Sequence, residues 1–309
     1  MPEGMSRRDF LKLGLAAGAG LILGEACQSE KKEEKQKENI GGTQPKEQSG
    51  EKPAMEKEQT EKSSRFLVEE IKTLVKGIEK KTEREAILTE FDRIADSEKD
   101  KLVERRFSQS EIQKEKYFAP FLARQKEIEK IINEVEPMGL VPRGLLWGLL
   151  TQEGGLTGKV NKESGAAGPF QFTVETARAM GMKVNKKVDE RFDMKEGTAK
   201  AVKYLKQLYE RFGQQWGLAL VAYSGGPSKL EHRLRRYFGL KKEKKFTPEL
   251  FKEKTVNVVT LYLKKFNSKK FKGLGKYSSI QYPFGVQIMA EWLEKLIDKK
   301  SYEVADTRG

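Results

Sequence analysis

The chain has 309 residues and a formal net charge of +14, and 34% of its residues are charged. With one cysteine and one histidine, it cannot assemble a Cys/His metal cluster, and Cys27 has no partner for an internal disulfide. A Ser-His-Asp or Cys-His mechanism would need His232, which lies in the basic amphipathic stretch LEHRLRRYF, where a surface or packing role is expected. Carboxylates remain the candidates for acid/base chemistry, and we expect neither a metal nor a cofactor.

The N-terminus has the pattern of an export signal. Arg7 and Arg8 precede an apolar stretch of 11 residues, Leu13–Leu23, which is too short to span a bilayer. The sequence S-R-R-x-F-L-K resembles a twin-arginine signal, which directs export across the bacterial inner membrane. Residues 1–26 are therefore predicted to be a signal segment, and the protein is expected in the periplasm.

Cys27 is a candidate for lipidation. A cysteine between an apolar segment and a polar tether resembles the modified cysteine of bacterial lipoproteins, which would anchor the protein to a membrane. The alternative is ordinary cleavage after Ala26, with Gly24 and Ala26 as the small residues that signal peptidase requires. Of the two, we expect lipidation.

Residues 27–64 are predicted to be a disordered, charged tether. From position 28 to position 64 there is no aromatic residue, and Ile40, Ala54 and Met55 are the only apolar residues. So little apolar surface cannot offset the conformational entropy lost on folding.

From residue 65 onward, apolar residues recur with the spacing of amphipathic helices. Leu67, Ile71, Leu74 and Ile78 follow one helical stripe and predict a helical preamble over 65–116. Strand patterns are weak, so the fold class is predicted to be mainly α. Further helices are predicted at 117–140, RGLLWGLLTQE, VETARAMG, GTAKAVKYLKQLYERFG, WGLALVAYSGGP, FKEKTVNVVTLYLKKF and GVQIMAEWLEKLI.

Glu153 is the strongest candidate for a catalytic residue. Leu146, Leu149, Leu150 and Glu153 are spaced i, i+3, i+4, i+7, which places the carboxylate on the apolar stripe of its helix. Burial disfavours the charged form and so raises the pKa, as does the negative end of the helix dipole. A carboxyl group that stays protonated near neutral pH is suited to general acid catalysis. The alternative is a glutamate exposed to solvent at a helix end.

Two further polar side chains are expected near Glu153. Gln171 lies between Phe170 and Phe172, so its buried amide needs partners. Those partners are either backbone carbonyls of the Gly165–Gly168 loop or groups of a sugar ligand. Tyr223 ends the apolar run WGLALVAY and offers a hydroxyl from a third direction.

These residues resemble the catalytic domain of lytic transglycosylases, the SLT enzymes of glycoside hydrolase family 23. The family shows a helix that ends E-S, then G-A-x-G-L-M-Q, then A-Y-N-A-G-P. Gln171 follows Glu153 by the family's interval of eighteen residues, and the loop ESGAAGPFQF and the run AYSGGP match the second and third motifs. The resemblance covers about residues 117–265.

The resemblance implies a lysozyme-like fold and a domain order. Residues 117–285 would form the transglycosylase domain, after the preamble, and residues 286–309 would form a C-terminal helix and tail. It also implies cleavage of the β-1,4 bond between N-acetylmuramic acid and N-acetylglucosamine, with Glu153 as acid and then base and a 1,6-anhydro product.

The resemblance also implies contacts with the substrate. Gln171, Tyr223 and the backbone around Phe170 would position the sugar. Three further positions lie within or beside family motifs, and the two that depart from the family pattern, Ser224 and Lys162, bear on substrate preference more than on the reaction. Ser224 replaces an asparagine, Lys162 replaces a serine that faces the substrate, and Glu253 fits the glutamate of the fourth motif, E-T-x-x-Y-V.

Two other functions are kept open. A muramidase-type or chitin hydrolase of the same fold would need a second carboxylate to direct water, and Asp189, Glu190 and Asp193 are the nearest acids after the loop. A non-catalytic lipoprotein that binds the cell wall is the third possibility, and the presence of Glu153 argues against it.

The positive charge is concentrated near the C-terminal side. Residues 229–276 contain 16 basic and four acidic residues, a net charge of +12. This basic region is either a solvated face or a contact surface for an anionic wall polymer or lipid. No nucleic-acid-binding motif accompanies it, so nucleic acid is not expected as a partner.

Overall fold

The computed structural model describes residues 64–306, with gaps at 109, 155, 157–158, 242–245, 254–255 and 268–278. The predictions for the signal segment, for Cys27 and for nearly all of the tether fall outside these residues. No helix in the described part of the chain is both long and apolar enough to cross a membrane.

Helices make up most of the described residues, which confirms the mainly α prediction. The described ranges contain no β-strand, only isolated bridges that join Ala167 to Phe172 and Val184 to Asp189. The α-helices are α1 Phe66–Lys76, α2 Lys81–Phe107, α3 Glu111–Ala123, α4 Gln125–Val135, α5 Arg143–Gln152, α6 Val174–Ala179, α7 Met194–Arg211, α8 Trp216–Gly225, α9 Pro227–Phe238, α10 Pro248–Glu253, α11 Val258–Asn267 and α12 Tyr282–Asp306.

Helix α5 lies at the centre of the fold. Every residue from Gly144 to Gln152 is buried, as expected for a stretch that contains no charged side chain. Helix α12 packs along it so closely that a Cβ atom on Gly148 would lie 2.1 Å from the carbonyl oxygen of Val286. Glycine is therefore required where the two helices cross. The predicted domain boundary between residues 285 and 286 falls inside α12.

Helix α1 of the preamble is joined to this core by polar contacts. The backbone amides of Leu67 and Val68 donate to Oε1 of Gln287, at 2.9 and 3.3 Å. Glu70 accepts hydrogen bonds from the backbone amides of Trp216 and Gly217 at the start of α8. A carboxylate at a helix N-terminus satisfies free N–H groups and interacts favourably with the helix dipole.

Two of the predicted helices are each divided in the structure. The helix predicted over 117–140 is interrupted at Arg124, whose φ is −109° and whose N–H bonds the carbonyl of Phe121 three residues back. The helix predicted from FKEKTVNVVTLYLKKF is two helices, because Asn257 starts α11 anew. Its Oδ1 accepts from the backbone amide of Thr260 at 3.0 Å, which is the geometry of an N-cap.

Candidate active site

A cavity of about 820 Å³ opens beside the C-terminal end of α5. It collects residues from α2, α5, α8, α9, the loop after α5 and the start of α12. Glu153 is the only carboxylate among the described residues that line it. The described lining consists of Arg105, Arg106, Gln152, Glu153, Asn161, Val221, Ser224, Gly225, Gly226, Lys229, Leu230, Arg233, Ser279 and Tyr282.

Glu153 is placed in the cavity wall by the end of its helix. It directly follows the last residue of α5, and Gly154 then takes a left-handed backbone conformation with φ of +66°, which turns the chain away. Burial raises the pKa of the Glu153 carboxyl group above its usual value. The hydroxyl of Tyr282 donates a hydrogen bond to Oε1 of Glu153, and this bond and the positive charge of Arg106 act in the opposite direction.

The carbonyl groups at the end of α5 are held by two side chains from outside the helix. Arg106 donates from Nη2 to the carbonyl of Gln152, at 2.8 Å, and from Nη1 to the hydroxyl of Tyr117, at 2.9 Å. Tyr117 in turn donates to the carbonyl of Thr151. Because the C-terminus of a helix carries partial negative charge, a guanidinium group at this place is stabilising. The contacts fix the backbone from which Glu153 projects.

Two tyrosine hydroxyls are kept protonated near Glu153. Burial raises the pKa values of Tyr282 and Tyr223 well above the usual value, and the negative charge of Glu153 raises both further. Both groups therefore remain hydrogen-bond donors across the physiological range. Tyr282 donates to Glu153, whereas Tyr223 donates to the carbonyl of Phe170, at 2.7 Å.

The side-chain amide of Gln171 holds the glycine-rich loop together. Its Nε2 donates to the carbonyls of Gly168 and Lys159, at 3.0 and 3.1 Å. Gln171 itself has a φ of +48°, a conformation that is uncommon outside glycine. Of the two partner sets expected from the sequence, the amide nitrogen uses backbone carbonyls, and Gln171 is not among the residues that line the cavity.

Arg191 binds backbone carbonyls of the same loop. It was not identified as a site residue from the sequence. Its guanidinium group is buried and donates to the carbonyls of Gly165 and Phe172, at 2.8 and 3.1 Å. It also forms an ion pair with Asp189, at 2.7 Å. A Cβ atom on Gly168 would lie 1.7 Å from the carbonyl oxygen of Arg191, so the loop fits here only because that position is glycine.

Of the remaining predicted site residues, some line the cavity and others do not. Ser224 lines the cavity. Phe170 is 2% exposed and presents its carbonyl to Tyr223. Lys162 is exposed and directly follows the lining residue Asn161, but it does not itself line the cavity. The side chain of Glu253 lies outside the described residues, as does Cys27.

The three acids considered for water activation are engaged elsewhere. Asp189 pairs with Arg191, which lowers its pKa. Glu190 accepts from the backbone amide of Lys183, at 2.6 Å, and Asp193 caps the N-terminus of α7. None of the three lines the cavity. His232 is exposed and also lies away from it.

One buried acceptor at the cavity is unused. Oε1 of Gln152 has no hydrogen-bond partner among the described residues, although the residue is only 6% exposed. A buried amide oxygen without a partner is costly, so it is suited to accept a hydrogen bond from a ligand hydroxyl or N–H group. Across the described residues, no group of three His, Cys, Asp or Glu side chains is arranged to hold a metal ion.

Comparison with known families agrees with this geometry. Residues 130–246 match the Transglycosylase SLT domain family, and residues 4–24 match the signal sequence of the twin-arginine translocation pathway. The SLT domain indicates lytic transglycosylase-type, peptidoglycan-degrading activity, and the signal sequence directs export across the inner membrane to the periplasm. The segment that contains Glu153, the glycine-rich loop and Tyr223 is a mainly α, lysozyme-like transglycosylase SLT domain, carried behind a twin-arginine signal sequence.

Proposed function

We propose that the protein is a lytic transglycosylase that cleaves the MurNAc-β-1,4-GlcNAc bond of peptidoglycan and releases 1,6-anhydro-MurNAc ends. The observation that carries this proposal is the position of Glu153. It is the single carboxylate among the described residues of an 820 Å³ cavity, and burial raises its pKa. A carboxyl group whose pKa is raised, with no second acid among the described residues that line the cavity, suits a reaction in which the substrate supplies its own nucleophile.

In this mechanism Glu153 acts twice. Its proton passes to the glycosidic oxygen as the bond from that oxygen to the anomeric carbon breaks, and the GlcNAc portion leaves with a free 4-hydroxyl. The acetamido group of the muramoyl residue stabilises the cationic intermediate. The Glu153 carboxylate then takes the proton of the muramoyl 6-hydroxyl while that oxygen bonds to the anomeric carbon. The carboxyl group is protonated again, and no water is consumed.

The surrounding residues would orient the acid and the sugar. Tyr282 and Arg106 hold the carboxylate form between the two steps through a hydrogen bond and a positive charge. Gln171, Tyr223 and Phe170 would act through the shape of the loop, since their polar contacts are with its backbone. Ser224 and Gln152 line the cavity, which supports a direct contact with the sugar. Lys162 and Glu253 are proposed as further contacts for the glycan strand on the family resemblance alone.

The hydrolytic alternative has less support. A hydrolase needs a carboxylate that directs water to the anomeric carbon. The acids nearest in sequence, Asp189, Glu190 and Asp193, are bound to Arg191, Lys183 and the start of α7.

Digestion of purified peptidoglycan, followed by mass analysis of the products, tests the proposal. We expect muropeptides with 1,6-anhydro ends and no new reducing ends. Hydrolysis would instead give products heavier by one water that react as reducing sugars. Glu153→Gln serves as the inactive control, and a predominance of reducing ends from the active protein would overturn the transglycosylase assignment.

We also propose that Cys27 is lipidated and that the protein is anchored to a membrane. Its place between the apolar segment and the charged tether supports this. Cells that express the protein and are labelled with radioactive palmitate should incorporate label into the wild type and not into Cys27→Ala. An unlabelled wild-type protein would favour cleavage after Ala26.

The basic region 229–276 is proposed to contact an anionic polymer of the wall or a lipid surface. Lys241, Lys242, Lys244 and Lys245 form its densest run, and all but Lys241 lie outside the described residues. Changing these four to glutamine should weaken sedimentation with intact sacculi, most clearly at low salt, because exposed charges are screened beyond about 8 Å at physiological ionic strength. Sedimentation that does not change with salt or substitution would identify a solvated face.

A further inference from the structure

The cavity around Glu153 contains more positive charge than the proposed reaction uses. Arg105, Arg106, Lys229 and Arg233 all line it, against the single acid Glu153. Arg106 is accounted for by its bonds to the end of α5. Lys229 and Arg233 are spaced i, i+4 on α9, which places two like charges side by side on the helix face toward the cavity.

The basic residues of helix α9 differ in whether an acidic side chain pairs with them. Arg235 forms an ion pair with Glu231, at 2.8 Å, and Glu231 also pairs with Arg211. Lys229 and Arg233 have no ion pair or hydrogen bond within the part of the chain that the structure describes. The one acid of the helix therefore neutralises the face away from the cavity and leaves the cavity face cationic.

The position of Arg233 makes this charge costly without a ligand. It is partly buried, and desolvation lowers the pKa of its guanidinium group, an effect that no acidic group among the described residues opposes. Two neighbouring cations repel each other, and Arg233 is in addition partly removed from water, so the arrangement is unfavourable for folding. Their presence beside a reactive carboxyl group is explained if the cavity receives an anion.

We propose that Arg233 and Lys229 bind an ionised carboxylate carried on the lactyl arm of the muramoyl residue. This inference rests on the proposed action on peptidoglycan. The amino sugars of the glycan are uncharged, and the lactyl arm is where the strand carries carboxylates, either its own free group or those of an attached stem peptide. Carboxylates of this kind are ionised at neutral pH, and the planar guanidinium group of arginine matches their geometry.

Binding is measured in the Glu153→Gln background, so that the ligand stays intact whichever product the active protein makes. Soluble glycan strands are prepared in three forms: with stem peptides, with the peptides removed to leave free lactyl carboxylates, and with all carboxylates converted to neutral amides. Dissociation constants are determined by calorimetry for Arg233→Gln and Lys229→Gln. Arg236→Gln is the matched control, since Arg236 is exposed on the same helix and does not line the cavity.

Loss of a charge-assisted contact should weaken the binding of carboxylate-bearing strands about tenfold in Arg233→Gln, and less in Lys229→Gln because its side chain is exposed. The amidated strands should bind weakly to all variants alike, and Arg236→Gln should bind as the parent does. A tenfold effect confined to peptide-bearing strands identifies the stem peptide as the source of the carboxylate. An effect on peptide-free strands identifies the lactyl group itself.

Three results would each overturn the proposal: no loss of affinity in Arg233→Gln, an equal loss in Arg236→Gln, or an equal loss with amidated strands. Failure of this test leaves the product analysis untouched, because that analysis uses the active protein and reads the chemical form of the new end. Conversely, reducing-end products would overturn the transglycosylase assignment while the preference for carboxylates stood.

Discussion

The SLT-matched segment, residues 130–246, and the helices that flank it contribute different properties to one cavity. The segment supplies Glu153, Asn161 and Ser224, which line the cavity wall that would face a sugar. The flanking helices supply Arg106, Tyr117 and Tyr282, which bind Glu153 or the helix end that carries it. A segment recognised by its local motifs therefore contains the reactive group, while Tyr282 and Arg106, which oppose the rise in its pKa caused by burial, lie outside that segment.

The largest expected effect lies within the matched segment. Glu153→Gln removes the transferable proton and should lower kcat on peptidoglycan by at least 10²-fold, since a general acid contributes typically about 10²–10⁴-fold. The circular dichroism spectrum and strand binding should be retained, because glutamine has nearly the same shape. A variant that clears peptidoglycan at more than about a tenth of the wild-type rate would contradict the assignment of Glu153.

The next effect lies in the flanking region and concerns stability. Burial raises the pKa of Glu70 from 4.5 to about 7, even though the backbone amides of Trp216 and Gly217 favour its ionised form. The folded state therefore binds this proton more tightly than the unfolded state does. The free energy of unfolding should fall by about 3 kcal/mol, from this group alone, as pH rises from below 4.5 to above 7.

Urea unfolding of wild type and Glu70→Gln at a series of pH values isolates this contribution. The difference between the two proteins should change with pH over that interval, whereas Glu69→Gln, an exposed neighbour on α1, should parallel the wild type. A constant difference between wild type and Glu70→Gln would show that Glu70 does not titrate abnormally.

A third prediction tests the crossing of α5, in the SLT-matched segment, with α12, one of the flanking helices. In Gly148→Ala the new methyl group would meet the backbone of Val286, so α5 and α12 must separate. Overpacking of this kind costs about 1–3 kcal/mol, and thermal unfolding should show it. Gly77→Ala is the control, because its nearest contact would be an ordinary 3.9 Å from the carbonyl of Leu74. Equal melting temperatures for the two variants would mean that the crossing is looser than described.

The smallest effect should come from Tyr282→Phe. Without the hydroxyl, the Glu153 carboxylate loses a hydrogen bond that favours its ionised form, so the pKa of Glu153 should rise. The alkaline limb of the pH profile for kcat/KM should then move to higher pH, and kcat should fall about tenfold. Tyr223→Phe is the matched comparison from the SLT segment. It loses a bond to the carbonyl of Phe170, so it should lower activity without a comparable shift of the profile.

The sequence alone predicted the helical class and the position of Glu153, because both depend on local spacing. The apolar stripe does not by itself explain the burial of Glu153, since α5 is buried on every side and has no polar face. Arg106 and Tyr282 were missed because they reach α5 from 46 and 129 residues away in the chain. The periodic pattern within one helix does not predict which distant residues will contact it. The clearest signal was a hydroxyl-bearing residue, Tyr282, at the start of a helix whose first turns are mostly apolar.

For Gln171, the sequence failed to predict a local property, the backbone conformation, rather than a distant partner. Its spacing from Glu153 matched the family, and its burial between two aromatic residues was expected to need polar partners. The sequence left open whether sugar or backbone would supply them. The answer depended on the left-handed turn at Gln171 itself, which points the amide nitrogen at the carbonyls of Gly168 and Lys159. Backbone conformation at a single position is not specified by residue type alone.

The contact of Tyr282 with Glu153 has a consequence for the order in which the protein becomes competent during synthesis. A ribosome completes the SLT segment, through residue 246, before residue 282 is added. Until α12 emerges and docks beside Gly148, α5 lacks its main packing partner and Glu153 lacks its hydrogen-bond donor. Synthesis of the SLT segment alone therefore leaves Glu153 without this contact, and α12 can supply it only after its own residues have been added.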